Sequence, residues 1–196
     1  RAWAAKSLIS RAPWNSNAPI SSASEMRQSR LVNSISPSTT GPATAIAADR
    51  GATVIVSEPD KKRRRLARRF GAAATIDPCD DGALETALRG LGVGGVEGVD
   101  IAVEASGAPS AVETALTAVG IGGVAVLVGS LSPAPPVSMD AEAIVRGLVT
   151  IAGVQHYTGD DLRDAVEYLR AAWGRHPFED LVDLVLPLAA ADEALT

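Results

Sequence analysis

The sequence predicts an α/β fold in which helices cover both faces of a parallel, doubly wound sheet. Residues 99–130 read as strand, helix, strand, because two apolar runs flank a stretch whose apolar residues recur at helical spacing. Residues 53–70 repeat the first half of this pattern, a β-branched run followed by a helix. Open parallel sheets bind ligands beyond the carboxyl ends of their strands. We therefore expect a ligand site near residues 104–107 and 129–130.

The segment 99–130 carries the strongest pattern in the chain. Val99, Ile101 and Val103 begin an apolar run typical of a strand buried on both faces, and residues 124–128 form a second such run. Between the runs, one helical face is apolar, with residues at i, i+3, i+4 and i+7: Val112, Ala115, Leu116 and Val119. Strands connected in this way lie parallel, with a right-handed crossover.

The composition fits one globular domain. The chain has 196 residues, of which 46% are hydrophobic and only 4% aromatic, so the core must consist of Ala, Val and Leu. A net charge of -5 argues against nucleic acid and anionic membranes as partners, because phosphate binding needs a basic surface. No apolar run is long enough to span a bilayer. The single cysteine, Cys79, rules out an internal disulfide and a thiolate zinc cage, and it favours a reduced, cytoplasmic compartment.

Residues 1–40 differ from the remainder of the chain. They are rich in Ser, Asn and Pro, hold the single acid Glu25, and show no sustained helical or strand period. We interpret them as a disordered or foreign leader, since so polar a segment buries too little apolar surface to offset its ordering entropy. An organelle transit peptide is the alternative. Leu31, Val32 and Ile35 form a poor edge strand at best.

A candidate ribose site follows the strand predicted over residues 53–56. Glu58 lies at the tip of this strand, where an acid binds the two hydroxyls of an adenosine ribose and repels a 2′-phosphate. This favours NAD over NADP, although Glu58 could equally be a solvated turn residue. The basic run 61–69 keeps helical spacing and predicts a helix with a solvated basic face. Arg63 or Arg64 is its candidate contact to a nucleotide phosphate.

The last third of the chain predicts a helix, a strand and a second helix. The first helix covers about residues 140–147, with Ile144, Val145 and Leu148 facing inward, and residues 149–154 follow as a strand. Thr158 then begins a capped helix. This helix has one apolar face, formed by Leu162, Ala165, Val166, Leu169 and Trp173.

Several segments in order resemble the carboxyl-terminal half of medium-chain, zinc-type alcohol dehydrogenases. They include ATAIAADRGATVIVSEPDKKRRRLARRFGA, GVDIAVEASGAPSAVETAL, GGVAVLVGS, LVTIAGVQHYTGDDLRDAVEYL and LVLPLAAADEAL. The likeness covers residues 41–196 and rests on the order and separation of these segments. The words GVQHY and PFEDLV resemble a bacterial branch of the family linked to phosphonate breakdown.

The resemblance implies a fold, a cofactor and a set of site residues. Residues 41–196 would be an NAD(P)-binding Rossmann domain, and the function would be hydride transfer between an alcohol and NAD. Glu58 would lie at the ribose and Arg63 beside the adenosine. The nicotinamide side would be formed by the residues that follow three strands: Ser106, Gly107, Val128, Gly129, Ser130 and Val154. The family also forms dimers, which implies a homodimer through the strand at residues 149–154.

The departures from the family pattern predict weakened function. Where a first strand and a glycine-rich turn are expected, the chain reads NSISPSTTGP, in which Gly41 alone corresponds. The turn glycines let the backbone approach the pyrophosphate, so we expect a sheet incomplete at its first strand and weak or lost NAD binding. The sequence offers no counterpart to the family's catalytic domain with its zinc ligands, and we expect the cofactor-binding domain to be clipped at its carboxyl end. We therefore assign no metal ligand and no catalytic residue, and we expect impaired catalysis.

Two other functions remain open. A methyltransferase with a similar sheet would also place an acid such as Glu58 on a ribose, but would use S-adenosylmethionine. A non-catalytic module would use the strand at residues 149–154 to form a dimer. His156 and His176 share no ligand spacing with Cys79, so neither indicates a zinc site.

Overall fold

A parallel sheet of six strands organises the part of the chain that the structure describes. The computed structural model describes residues 30–34, 40–92, 98–182, 185–187 and 189–190. The strand order is β3-β2-β1-β4-β5-β6, and every neighbouring pair is parallel. The strands are β1 (Arg30–Ser34), β2 (Thr53–Ser57), β3 (Ala74–Ile76), β4 (Val99–Glu104), β5 (Val119–Leu127) and β6 (Thr150–Gly153). The helices are α1 (Thr40–Asp49), α2 (Lys61–Arg69), α3 (Ala83–Gly90), α4 (Pro109–Ala118), α5 (Ala141–Arg146) and α6 (Gly159–Ala172), followed by a 3-10 helix at Phe178–Leu181.

The first strand lies at the centre of the sheet. β1 pairs with β2 along its whole length and with β4 from Leu31 to Ser34. The expectations that the sheet lacks its first strand, and that this stretch forms at most an edge strand, are therefore wrong. Hydrogen bonds to strands on both sides satisfy the backbone groups of β1, and this tertiary pairing outweighs its weak local preference for a strand. The leader predicted for the remaining residues up to 39 lies outside the described residues.

Helices cover both faces of the sheet, as predicted. Alternate residues of β2 face opposite sides, because side chains alternate along a strand. Val54 and Val56 pack with Ala47 of α1 and Ala67 of α2. On the other face, Ile55 packs with residues of β4 and α4, namely Val99, Ala102, Ala115 and Ala118, and α3 adds partly buried leucine and alanine side chains. The doubly wound, Rossmann-like arrangement is confirmed.

The helix ends follow the local sequence. The Asp60 carboxylate accepts a hydrogen bond from the Arg63 amide at 2.7 Å and caps α2. Thr158 and Asp161 form a reciprocal capping box at the start of α6, which confirms that predicted helix start. Gly51, at φ 87°, follows the end of α1 in the left-handed conformation that glycine adopts without strain.

A small aromatic cluster attaches the segment that follows α6 to the sheet domain. Phe70 is fully buried with Ala45, Ala172 and Phe178. The His176 ring stacks on Phe70 with 6.0 Å between ring centroids. The segment after α6 is therefore packed onto α1 and the end of α2.

Asp49, at the end of α1, anchors this cluster. Its Oδ1 lies 3.0 Å from His176 Nε2, and its Oδ2 accepts hydrogen bonds from the Tyr168 hydroxyl at 3.0 Å and from Arg175 at 3.1 Å. Burial opposes the charged form of Asp49, but these partners outweigh it and hold the pKa below its usual value. Burial and the hydrogen bond to Asp49 raise the pKa of Tyr168. His176 therefore contributes to the packing of this cluster through its contacts with Asp49 and Phe70.

Two apolar surfaces remain exposed. Val145 and Leu148 are 73% and 71% exposed, so the expectation that they face inward is wrong. α5 has six residues, of which Ile144 alone is partly buried, and it is too short to cover the neighbouring apolar side chains. The apolar face of α6 forms as predicted but is exposed at Leu162, Val166, Leu169 and Trp173. None of the helices in the described ranges has the length and apolar character needed to cross a membrane.

Candidate functional site

The predicted site residues lie along one edge of the sheet. Ser57, Ser34, Glu104, Leu127 and Gly153 end five neighbouring strands and are register partners in that order. The residues that follow these ends include Glu58 after β2, Ser106 and Gly107 after β4, Val128, Gly129 and Ser130 after β5, and Val154 after β6. The fold therefore brings all of these predicted residues to the carboxyl edge of the sheet.

Glu58 is a buried carboxylate rather than a solvated turn residue. Its side chain is 0% exposed, and its Oε1 accepts a hydrogen bond from the Asp60 amide at 2.9 Å. Arg63 Nη1 lies 3.8 Å from the same oxygen, and the Arg63 side chain is 45% exposed. Among the described residues, the buried Oε2 has no hydrogen-bond partner. Burying an acceptor without a partner is costly, which makes this oxygen a candidate ligand contact.

Arg64 stabilises the turn that carries Glu58. Its Nη1 donates to the carbonyl oxygens of Glu58 and Pro59, at 2.6 and 2.7 Å, and to the Asp77 carboxylate at 2.9 Å. The hydrogen bond from the Cys79 amide and the charge of Arg64 hold the pKa of Asp77 below its usual value. Of the two arginines considered from the sequence, Arg64 is thus engaged within the protein, and Arg63 is the more exposed.

Glu104 organises the turn after β4. Its buried Oε1 accepts hydrogen bonds from the Ser106 amide and hydroxyl, both at 2.6 Å, and from the Gly107 amide at 2.8 Å. Sequence reasoning placed Glu104 at a strand end without assigning it a role. An acid that ends a buried strand directly before a Ser-Gly turn was the signal available in the sequence.

The turns after β4 and β5 are in close contact. A Cβ atom on Gly129 would lie 2.4 Å from the carbonyl carbon of Ala105 and 2.4 Å from the Gly107 nitrogen. Gly107 itself has φ 76°. Val154 is connected to the same edge by a hydrogen bond from its amide to the Leu127 carbonyl at 2.9 Å. Backbone atoms therefore form most of this part of the edge, which allows a flat ligand group to approach closely.

The described residues hold no cluster of three or more His, Cys, Asp or Glu side chains that could bind a metal ion. Cys79 is an exposed free thiol. His176 contacts Asp49, as described above, and His156 is exposed, at φ 63°, in the segment between β6 and α6. These donors do not fit the zinc site of the family, so no chemical step is assigned to zinc. A shallow apolar cavity of about 360 Å³ lies elsewhere, on α6, between Val166, Leu169, Arg170 and Trp173.

Comparison with known families agrees with this geometry. The sequence model described as zinc-binding dehydrogenase matches residues 42–171, which is more than half of the chain. The chain belongs to the zinc-binding dehydrogenase family. The matched region includes the predicted positions from Glu58 to Val154. A search of curated proteins found no match.

Solved structures of zinc-binding dehydrogenases share the fold. An alcohol dehydrogenase zinc-binding domain protein from Burkholderia ambifaria is 26% identical, with a TM-score of 0.73, over 87% of this chain and 46% of that one. An alcohol dehydrogenase from Thermotoga maritima is 23% identical, with a TM-score of 0.75, over 84% and 46%. A putative zinc-binding dehydrogenase from Sinorhizobium meliloti, bound to NADP, is 26% identical, with a TM-score of 0.66, over 74% and 42%. The chain thus spans about half the length of these solved dehydrogenases.

Proposed function

We propose that this chain is the cofactor-binding unit of an NAD-dependent alcohol dehydrogenase, in which the intact protein transfers hydride between an alcohol and NAD. The observation that supports this most directly is the buried Glu58 carboxylate at the tip of β2, whose Oε2 lacks a partner among the described residues. A ribose offers two adjacent hydroxyl donors for such an acceptor. Arg63, whose side chain is 45% exposed, lies 3.8 Å from the other oxygen of this carboxylate, Oε1.

The order of the strands supports an extended dinucleotide along the edge. Glu58 would bind the adenosine ribose and Arg63 would lie beside the adenosine. β1 separates β2 from β4, so the nicotinamide half would reach the turns after β4, β5 and β6. There Ser106, Gly107, Val128, Gly129, Ser130 and Val154 would surround it. The acid at Glu58 favours NAD, since it would repel the 2′-phosphate of NADP.

Binding is proposed to be weak, and the chain by itself to be impaired in catalysis. The sequence between β1 and α1 contains no GxGxxG pattern. It therefore lacks the glycines that would let the backbone come close to the pyrophosphate of the dinucleotide. The described residues also contain no cluster of three or more His, Cys, Asp or Glu side chains that could hold a zinc ion to polarise the alcohol oxygen. We propose a cytoplasmic location, in keeping with the exposed free thiol of Cys79.

Measured affinities for NAD and NADP test this function. For the unchanged chain, titration calorimetry is expected to give a Kd for NAD of about millimolar or tighter, and weaker binding of NADP. Glu58→Gln removes the charge that strengthens the ribose hydrogen bonds, so NAD affinity should fall by about tenfold and the preference over NADP should disappear. Asp81→Asn, which removes an exposed acid from a nearby turn, is the matched control and should leave both affinities unchanged.

Three results would contradict the proposal: an unchanged chain that binds neither dinucleotide, a Glu58→Gln variant with unchanged NAD affinity, or binding of S-adenosylmethionine without NAD. The last result would favour a methyltransferase. NAD reduction by the purified chain with any of a panel of alcohols would contradict the proposed impairment.

A homodimer through β6 is a second proposal, supported by the exposed apolar residues beside that strand. In the described sheet, β6 pairs with β5 alone and so leaves one edge open. Val145 and Leu148 shortly precede this strand in the chain and are largely exposed, and Ile151 on the strand is 39% exposed. An open edge with an apolar border is typical of strand-to-strand association.

Light scattering coupled to size exclusion tests the dimer. The unchanged chain is expected to elute with the mass of a dimer, and Leu148→Asp is expected to elute as a monomer, because a charge at the border opposes burial. Leu162→Asp places the same charge on the exposed face of α6 and should leave the dimer intact. A monomeric unchanged chain, or equal effects of the two substitutions, would refute this interface.

A further inference from the structure

Glu104 contacts both turns that follow β4 and β5, although it is fully buried and has no place among the predicted cofactor contacts. Its side chain holds Ser106 and Gly107, as described above. Its backbone carbonyl accepts hydrogen bonds from the Val128 amide at 2.7 Å and from the Gly129 amide at 3.1 Å. One residue thus binds the backbone of both turns.

The hydrogen bonds of Ser106 show that its hydroxyl serves the turn itself. Ser106 Oγ donates to Glu104 Oε1 at 2.6 Å and accepts from the Ala108 amide at 3.1 Å. A hydroxyl has one hydrogen, so this side chain has no donor left for a ligand. What the turn offers to a ligand is therefore the shape of its backbone, and Glu104 sets that shape.

The two turns leave each other little freedom to shift. A Cβ atom on Gly107 would lie 2.5 Å from the Gly129 carbonyl oxygen, and one on Gly129 would lie 2.5 Å from the Ser106 nitrogen. A displacement of the Ser106 turn would therefore force the turn after β5 to move as well. The Glu104 carboxylate opposes such a displacement with three hydrogen bonds to one charged oxygen, and such bonds are stronger than those between neutral groups.

We propose that Glu104 is a positioning residue for the nicotinamide half of the dinucleotide: its buried carboxylate holds the backbone of the Ser106 and Gly107 turn, and through it the Gly129 turn, in the shape that receives the ring. This inference rests on the proposed NAD site. The second oxygen of this carboxylate, Oε2, is buried and has no hydrogen-bond partner among the described residues. The proposed role of Glu104 depends on its hydrogen bonds to the two turns and requires no contact with the cofactor. The proposed adenosine site, at Glu58 and Arg63, lies two strands away along the sheet edge. Substitution of Glu104 should therefore leave binding of the adenosine half unchanged.

The test compares NADH with ADP-ribose, which lacks the nicotinamide ring, on the full chain. Glu104→Met keeps the length of the side chain but removes the acceptor, so the Kd for NADH should rise about tenfold while that for ADP-ribose stays within about twofold. Glu104→Gln retains an acceptor oxygen and should rescue most of the loss, leaving a rise of about threefold or less. Glu142→Met makes the same chemical change at a 72% exposed side chain on α5 and is the matched control.

The outcomes separate this inference from the proposed function. If the unchanged chain binds neither ligand, the NAD site itself is refuted, and the role of Glu104 with it. If the unchanged chain binds both, but Glu104→Met weakens both equally or neither, the positioning role is refuted and the NAD site stands. Should Glu104→Met fail to fold, Ser106→Ala takes its place, and it must raise the Kd for NADH without raising the Kd for ADP-ribose.

Discussion

Phe70→Ala is expected to destabilise the fold by about 3–5 kcal/mol. The Phe70 ring is fully buried, and it fills the space beside Gly41, where a Cβ atom would lie 2.6 Å from the ring. It also packs on Phe178 with 5.4 Å between ring centroids and stacks on His176. Removal of the ring would leave a cavity between α1, the end of α2 and residues 172–181. These residues would then lose part of their packing against the sheet domain.

Urea denaturation followed by circular dichroism measures this loss. Phe70→Leu should cost less, because it retains most of the buried volume. Leu131→Ala removes an apolar side chain that is 68% exposed and should stay within about 0.5 kcal/mol of the unchanged chain. A loss of under about 1 kcal/mol for Phe70→Ala would show that the aromatic cluster contributes little to the folded state.

Gly129→Ala is expected to cost about 3 kcal/mol and to abolish measurable NADH binding. The added methyl group would meet backbone atoms of Ala105, Ser106 and Gly107 at 2.4 to 2.5 Å. No side-chain rotation can relieve contacts with backbone, so the two turns must move apart. That movement breaks the hydrogen bonds through which Glu104 holds both turns, and it changes the proposed nicotinamide site.

Gly159→Ala is the matched control for this substitution. Gly159 begins α6, and a Cβ atom there would meet nothing within 4 Å. The unfolding temperature of the Gly159→Ala variant should be unchanged or slightly raised, since alanine restricts the unfolded chain. Its NADH affinity should be unchanged. If Gly129→Ala had the same unfolding temperature and NADH affinity as Gly159→Ala, the close packing of the two turns would matter neither for stability nor for cofactor binding.

Much of the fold could be predicted from local patterns. The apolar runs at 99–130 and the helical spacing around Leu66 and Val112 predicted β4, α4 and α2 near their observed bounds. The strand predicted over residues 124–128 was found, but β5 begins five residues earlier, at Val119, which had been predicted to lie on the helix. Thr158 and Asp161 predicted a helix start through hydrogen bonds that span three residues. These features depend on neighbours along the chain, so a local pattern contains the necessary information.

Other features depend on residues far apart in the chain. β1 has five residues and weak strand character, and pairing with β2 and β4 alone makes it central. The contact between His176 and Asp49 joins residues 127 positions apart. The exposure of Leu148 and of the α6 face could not be predicted, because a helical pattern shows that an apolar face exists but not whether this chain covers it.

The sequence by itself determined the doubly wound fold, the family resemblance, and the placement of Glu58, Ser106, Gly129 and Val154 at strand ends, because periodicity and chain order fix which end of a parallel strand each residue follows. Only the tertiary structure decided that Glu58 is buried with an oxygen that has no hydrogen-bond partner within the described ranges, and that Glu104 binds two turns at once. Burial and hydrogen bonding between strands arise from the packed sheet. They have no counterpart in the spacing of residues along the chain.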